Sequence, residues 1–552
     1  MRGMKLLRRP EVSTGFLLSC LCLSIVCAVA AVYANSLRNP FIFDDGVVLS
    51  RIPRDTQLWP LPINSRWLVD VSFRLNYLIS GANPAGFRIV NVAIHALATL
   101  ALFGLVLETA ALPRFSGCFG NSGVWLAWVS ALAWGLHPYH VQSVAYVCQR
   151  YESAMGLSLF VCLWCFARGA RSPRPRLWFD LSVVAAIAGM GAKEVMVAAP
   201  GLALIYDYVF VCETPGEIWK RRKAVHAALA ACWALVFVLW IGAEAERMER
   251  GEAGVERPER FAYLLTQSSV IVRYIVNAFV PGGLCFDYGW EVASSWTEAL
   301  LPAATVWLLV IVSVYLVFRR SASGFLGAAF FLILAPTSSV LPLEDPAFDH
   351  RMYAPLASIA VGLVFGVYRM IKVVAGGRMG KVLMFVAVCM IVFLGMLTVQ
   401  RNRIFSSELS LWTDVVSKRP GNLRARNELA IALSESGRLD EAKMELSRVL
   451  DATASVEPWH PEWPAKPLPA NSMRANRFRA LANMAVSLER EGKFESALEY
   501  YTEALRIVPF SEQVRDMMRK ALKAMEAGER QRSGSGDGER ETRSESERNA
   551  LR

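Results

Sequence analysis

The chain has 552 residues, of which 54 % are hydrophobic and only 19 % charged, too few charges to clothe that much apolar surface in water. This excludes an ordinary soluble multidomain protein, and the apolar residues fall in runs near the length that crosses a bilayer as a helix. The formal net charge of +11 does not point to nucleic acid, because many of the basic residues sit in short loops between apolar runs, where they set orientation.

The first apolar run, Phe16 to Ala34, follows Arg2, Lys5, Arg8 and Arg9 and reads as a retained anchor rather than a cleaved signal. Further spans are expected near residues 88–108, 120–136, 153–168, 177–192, 195–211, 224–242, 302–318, 324–341, 353–370 and 382–400, eleven in all with the first. With the amino terminus inside, Arg168, Arg171, Arg174 and Arg176 fall inside, as do Lys220 to Lys223, Arg319 with Arg320, and Arg369, Lys372, Arg378 and Lys381. The dense basic clusters then share one side. Residues 261–281 are apolar too, but Thr266, Ser269, Arg273 and Asn277 form one polar stripe at helical spacing. That pattern predicts an external helix lying in the interface, and it puts everything after residue 400 on the extracytoplasmic side.

With this topology the outer side collects polar residues in chain order. Phe43-Asp44-Asp45 lies just beyond the first span, in an outer loop over residues 35–87. Adjacent carboxylates can supply a general base or ligands for a hard divalent cation; two ordinary solvated acids are the bland alternative. His137-Pro138-Tyr139-His140 ends the third span, and Gln149, Arg150 and Glu152 precede the fourth. Lys193-Glu194 stands between the fifth and sixth, and Asp349-His350-Arg351 with Tyr353 opens the tenth. Each alone reads as an exposed charge or an interfacial anchor, and their shared side is what raises interest. Arg and Lys neutralise phosphate, Arg bidentately, so cations opposite a carboxylate suit a hydroxyl attacking a lipid phosphosugar. Asn91 and His95, one turn apart in the second span, are either functional or a satisfied interhelical pair. Cys20, Cys22, Cys27, Cys162, Cys165, Cys232 and Cys389 lie in apolar segments and read as packing residues.

Past residue 400 the pattern becomes amphipathic. An offset of 55 residues pairs Gly437 with Gly492, Ala430 with Ala485, and Ala442 with Ala497, and sets Leu446 opposite Tyr501. Small residues at these positions let two helices of a hairpin pack closely, which looks like the tetratricopeptide repeat of about 34 residues. Two repeats are expected, at about 423–451 and 478–510, with a Pro- and Trp-rich insertion at 452–472 accounting for the surplus. Trp412, Val415 and Pro420 resemble half of a preceding repeat, and residues 511–526 read as a capping helix. Peptide or protein recognition is favoured over a packing cap. The Ser-, Gly-, Glu- and Arg-rich stretch 528–552 reads as a disordered tail. The fold class expected is therefore all-α: a polytopic helix bundle over 1–400, then a short α-solenoid over 401–527.

Nearly the whole chain resembles the transmembrane and tetratricopeptide-repeat containing proteins, of the GT-C class of membrane glycosyltransferases. The residues that carry the resemblance are Phe43-Asp44-Asp45, Asn76-Tyr77, Gly81, Asn83-Pro84, Asn91 and His95, then His137-Pro138, Val144, Gln149-Arg150 and Glu152. Lys193-Glu194, Pro200, Tyr206-Asp207, Pro281, Leu284, Tyr288, His350-Arg351-Met352-Tyr353 and Pro355 complete the series. Arg88 stands where the family has His, Trp67 where it has Pro after an Arg, and Asp349 where it has Glu. The resemblance implies a polyprenyl- or dolichyl-phosphate sugar donor, often mannose, a protein Ser or Thr acceptor, and single-displacement transfer with inversion. On that implication Asp44 is the general base, Asp45 orients it or binds a divalent cation, and Arg150, Lys193 and Arg351 hold the donor phosphate. His137, Glu152, Glu194, His350 and Tyr353 are supporting residues. A membrane-anchored scaffold without catalysis is the alternative. A transporter ranks last, because neither midplane charges nor an internal repeat of the spans is evident. The compact length and the charged tail point to a bacterial inner membrane rather than the endoplasmic reticulum.

Overall fold

The computed structural model describes residues 12–52, 64–120, 122–249, 259–293, 295–339, 342–375, 380–460, 468–469 and 471–527. The 528–552 tail, part of the 452–472 insertion, part of the 35–87 loop, and Arg2, Lys5, Arg8, Arg9 and Arg378 lie outside the described residues. Among the described residues the regular elements are all helices, and they form two compact units. The first holds most of the chain up to Leu411; the second runs from Trp412 and includes Asp287–Gly289.

Among the described residues, six helices are long and apolar enough to cross a membrane: Gly15–Ser36, Pro84–Ala110, Glu194–Val211, Trp296–Phe318, Leu356–Val374 and Val382–Ile404. The other expected spans fall on helices Ser122–Gly135, Arg150–Gly169, Pro175–Met190, Pro215–Glu249 and Ala322–Leu334. Eleven crossings are thus not matched by eleven long apolar helices. The physical reason is plainest for Ser122–Gly135, with 14 residues, and Ala322–Leu334, with 13. At ~1.5 Å per residue neither reaches across a hydrocarbon core of about 30 Å without the irregular backbone that follows it.

Pro84–Ala110 is the central helix of the first unit. Asn83 caps it by accepting the Ala85 N–H, and Pro84 fills its first position, where a missing N–H costs nothing. It packs between Ser122–Gly135 and Arg150–Gly169, and small residues set the spacing in this bundle. A Cβ at Gly156 would lie 2.4 Å from the Tyr353 ring, so that ring is seated only because the position carries no side chain. Around the bundle, Leu301, Phe318, Val373 and Phe385 are exposed, as lipid-facing side chains are.

The segment expected to lie in the interface is a helix, Arg260–Phe279, but both ends of its polar stripe are buried in protein and its middle is half-buried. Thr266 and Asn277 are buried, while Phe261, Val276 and Phe279 are exposed. The inward polar groups hold the chain that leads to His350. Gln267 donates to the Pro346 carbonyl at 3.0 Å, and the Tyr274 hydroxyl donates to Phe348 O at 2.9 Å. Within the stripe itself, Thr266 accepts the Ala293 N–H at 2.8 Å.

The second unit contains two helical hairpins, Leu423–Glu435 with Leu439–Ala452 and Met473–Arg490 with Phe494–Ile507. Gly437 and Gly492 sit in the turns at φ of 77° and 76°, a left-handed backbone that glycine adopts without a Cβ penalty. Ala430, Ala485, Ala442 and Ala497 are buried at the helix contacts, with Leu446 and Tyr501 filling equivalent core positions. Asn422 and Ser472 cap the first helix of each hairpin. Arg424 pairs with Asp287 at 2.7 Å within this unit.

Candidate active site

The two adjacent acids do different things. Asp45 opens the short helix Asp45–Arg51 and is fully buried. Its Oδ1 accepts the Cys148 N–H at 2.7 Å and its Oδ2 accepts the Ile42 N–H at 3.2 Å. Burial pushes its carboxyl up to about 7, against those N–H groups and the nearby Arg88 charge. Arg88 in turn donates Nε to Ala145 O at 2.8 Å and its two Nη atoms to the carbonyls of Asn39 and Pro40. Asp45 and Arg88 therefore tie the outer loop to the segment around residue 145. Asp44 is exposed, and its backbone N–H donates to the Tyr146 hydroxyl at 3.1 Å.

Phe43 adopts φ of 45°, a left-handed backbone in which a bulky residue is strained. Its N–H donates to Glu408 Oε1 at 2.6 Å. Its ring meets Phe286 edge-on, as do the rings of Tyr146 and Phe405.

A cationic group gathers from other segments. Lys193 Nζ lies 2.5 Å from Glu152 Oε1, with both side chains nearly buried. Arg66 lies 3.7 Å from Glu194 and stacks over the Tyr151 ring, while Tyr151 donates to Asp70 at 2.9 Å. His350 is held well below the usual imidazole range by burial first, and then by the charges of Lys193, Arg351 and Arg66. It is neutral and stacked on Phe348, and its backbone N–H donates to Gln142 Oε1 at 3.0 Å. Arg351 donates to the carbonyls of Pro346 and Asp345, each at 2.6 Å. Cys148 connects the two groups: its thiol is pushed up to about 12 by burial and by the charges of Asp45 and Asp44, with Arg66 opposing.

Three of the expected site residues lie in tighter packing. Arg150 is fully buried. It donates to Asn91 at 2.6 Å, Ser72 at 3.2 Å, Asn76 at 2.7 Å and the Phe87 carbonyl at 2.9 Å, with Phe73 beneath its guanidinium. Its donors are directed at protein acceptors on helices Trp67–Ser80 and Pro84–Ala110. Tyr353 shares a 2.8 Å hydrogen bond with His95 Nδ1, and His95 Nε2 lies 2.8 Å from Gly135 O, so the intramembrane Asn91 and His95 are both satisfied. His137 bonds Ala278 O at 3.1 Å through Nε2 and accepts the Tyr139 N–H through Nδ1.

The structure thus brings together Lys193, Glu152, Glu194, His350 and Arg351, reaches Asp44 only through the shared surroundings of Cys148, and gives Arg150, His137 and Tyr353 protein partners. Sequence reasoning missed Arg66, Tyr146 and Glu408 as site residues. Arg66 was legible as an Arg in an outer loop; Tyr146 and Glu408 carried no local signal. Both Asp45 oxygens accept backbone N–H groups, so this carboxylate is engaged in holding the loop. Among the described residues no group of three or more His, Cys, Asp or Glu side chains is arranged to hold a metal.

Residues 478–511 match the tetratricopeptide repeat model. The chain is similar to protein O-mannosyl-transferase Tmtc2 of Drosophila melanogaster, at 26 % identity over 52 % of this chain and 32 % of that protein. It is 30 % identical to protein O-mannosyl-transferase TMTC1 of Mus musculus over 34 % of this chain and 21 % of that protein. Against protein O-mannosyl-transferase TMTC2 of Homo sapiens it is 28 % identical over 35 % of this chain and 25 % of that protein. In these alignments the chain spans a third or less of each relative's length. These are animal proteins, and they lend no support to the bacterial inner membrane expected from the sequence. No solved structure matches.

Proposed function

We propose that this TMTC-like membrane protein is a glycosyltransferase. It moves a sugar, mannose in the first instance, from a polyprenyl- or dolichyl-phosphate donor to a Ser or Thr hydroxyl of a protein. The observation that carries the reading is the exposed carboxylate of Asp44 on a loop that Asp45 pins to Cys148, with Arg66 acting on the same Cys148 and joining Lys193 and Arg351 around His350. In the reaction the acceptor oxygen attacks the anomeric carbon, and the bond from that carbon to the phosphate oxygen breaks. The lipid phosphate leaves with the bonding pair and the hydroxyl proton passes to Asp44. A carboxylate with a free pKa of about 3.9 is a weak equilibrium base, but it accepts the proton as the hydroxyl becomes acidic in the transition state. Single displacement inverts the anomeric centre.

Lys193 and Arg66 are suited to the departing phosphate, since their partners are carboxylates that orient them rather than a shell of backbone carbonyls. Arg351 adds positive field from its carbonyl-bound position. Glu152 and Glu194 hold the two cations, and neutral His350 packs among the positive charges without adding to them. Asp45 orients the loop that carries Asp44, and Arg150, His137 and Tyr353 brace the helices beneath. The transfer is assigned to the extracytoplasmic side, with the repeats on that side handling the acceptor.

Mass spectrometry of O-linked hexose on membrane and secreted proteins, with and without this gene, tests the reading. Loss of hexosylated Ser and Thr sites on deletion is the expected result; an unchanged glycan profile overturns it. A topology reporter fused after residue 401 is expected to report outside, and a cytoplasmic signal overturns the sidedness. The tetratricopeptide repeat favours a second reading, a scaffold that recruits protein partners without chemistry. On that reading an Asp44→Asn chain retains every activity of the natural one.

A further inference from the structure

We infer that Glu408 is a positioning residue: its carboxylate holds Phe43 in the left-handed conformation and thereby sets the direction of the neighbouring Asp44 side chain. The inference rests on the transferase reading for its catalytic consequence, but its structural half stands by itself. Among the described residues, only Phe43 and Arg320 have positive φ without being glycine. Phe43 precedes the aspartate assigned as base. A residue of this size does not occupy that region unless its surroundings over-determine it.

Two contacts do so. The Phe43 N–H donates to Glu408 Oε1 at 2.6 Å, the length of a charge-assisted hydrogen bond. The ring rests edge-on against Phe286 at 5.9 Å between centroids. The next N–H, that of Asp44, points at the Tyr146 hydroxyl, and the Tyr146 ring packs on the same Phe286. The peptides on both sides of residue 43 are thus held, the first by Glu408 and the second by Tyr146 and by the Gly46 N–H, which donates to the Phe43 carbonyl at 3.3 Å. If the Glu408 acceptor is removed, the peptide before Phe43 turns, Phe43 relaxes toward negative φ, and Asp44 leaves its line to the acceptor hydroxyl.

Glu408 also stands in the first turn of helix Glu408–Lys418, where any acid is favoured by the helix N-terminus. A purely local role of that kind makes its loss independent of residue 43, which is the basis of the test. Four full-length proteins are compared with the natural chain: Glu408→Ala, Glu408→Gln, Phe43→Gly, and the double variant F43G/E408A. Transfer from a synthetic polyprenyl-phosphate mannose to a Ser/Thr peptide is measured alongside hydrogen exchange of the peptide covering 38–48.

Glu408→Ala is expected to lower kcat about 30-fold with KM for the donor nearly unchanged, the scale set by the strain released at residue 43. Glu408→Gln keeps an acceptor oxygen and is expected to lose no more than about fivefold. Glycine holds positive φ without help, so in the Phe43→Gly background the Glu408→Ala step is expected to cost less than about threefold. Exchange over 38–48 rises in Glu408→Ala and changes little between Phe43→Gly and the double variant. Equal losses of kcat in both backgrounds overturn the inference, as does unchanged exchange in Glu408→Ala whatever happens to transfer. If Asp44→Asn also transfers normally, the transferase reading itself has failed, and the exchange data alone decide whether Glu408 holds Phe43.

Discussion

The two units use charge in opposite ways. In the repeat unit many ion pairs are local and exposed: Arg438 with Glu441, Arg506 with Glu503, and Arg515 with Glu512 are three residues apart on helix surfaces, with Arg424–Asp287 and Arg426–Glu445 as buried exceptions. Water screens the exposed pairs and they add little, so the hairpins are held instead by alanine contacts and glycine turns. In the membrane unit many charges are buried and reach partners far away in sequence, while Asp44 and Arg66 stay exposed. Arg150 takes acceptors from residues 72, 76, 87 and 91, and Arg401 pairs with Asp349 at 2.7 Å. A charge is cheap where water surrounds it and costly in an apolar block. The buried charges of the membrane unit are therefore fixed by several groups, and they brace the loop that carries the exposed Asp44.

The contrast can be broken first at Arg150. Arg150→Met fills similar volume but leaves Asn91, Asn76 and the Phe87 carbonyl without their donor. A loss of about 3–5 kcal/mol is expected, read as a large drop in thermal midpoint or as failure to elute monodisperse in detergent. A variant as stable as the natural chain would show that Arg150 is not the hub described.

Asp45 gives a pH-dependent form of the same test. Folded Asp45 holds its proton up to about pH 7, whereas its ordinary value is 3.8, so the folded state binds more protons between those limits. Its contribution to stability is full below the lower value and falls as pH rises toward the upper one. The natural chain is therefore expected to gain about 1–3 kcal/mol relative to Asp45→Asn on going from pH 7 to pH 5. A pH-independent difference between their midpoints contradicts the burial argument.

Smaller effects belong to the repeat unit. Ala485→Leu forces a large side chain into a buried helix contact and should cost about 1–3 kcal/mol, detectable in calorimetry. Gly492→Ala, at φ of 76°, should cost about 1 kcal/mol. If Gly492→Ala proves the more damaging of the two, turn geometry outweighs helix packing here.

The same contrast explains what could be read in the chain. The repeat unit was legible because its determinants recur at a fixed offset, and Ala430, Ala485, Gly437 and Gly492 all serve the packing or turn that the offset implies. Most membrane helices were legible from apolar length alone. Their number of crossings was not, because Ser122–Gly135 and its short companions stop where irregular backbone takes over. The polar stripe of Arg260–Phe279 shows the periodicity, but period does not say whether water or protein lies on that side. The candidate site was half legible. Asp44, Lys193 and Arg351 stand out as outer-side charges, but the division of labour between Asp44 and Asp45 depends on the Cys148 N–H, about a hundred residues along the chain. The Glu408 contact spans 365 residues and leaves no local pattern at all.

The central claim, that the exposed acid rather than its buried neighbour performs the chemistry, rests most directly on one measurement. Purified full-length protein and its Asp44→Asn variant are compared for mannose transfer from a synthetic polyprenyl-phosphate donor to a Ser/Thr peptide, with thermal midpoints recorded in parallel. The account predicts a loss of at least about 100-fold in kcat at an unchanged midpoint. Transfer at the natural rate by a well-folded Asp44→Asn protein would contradict it.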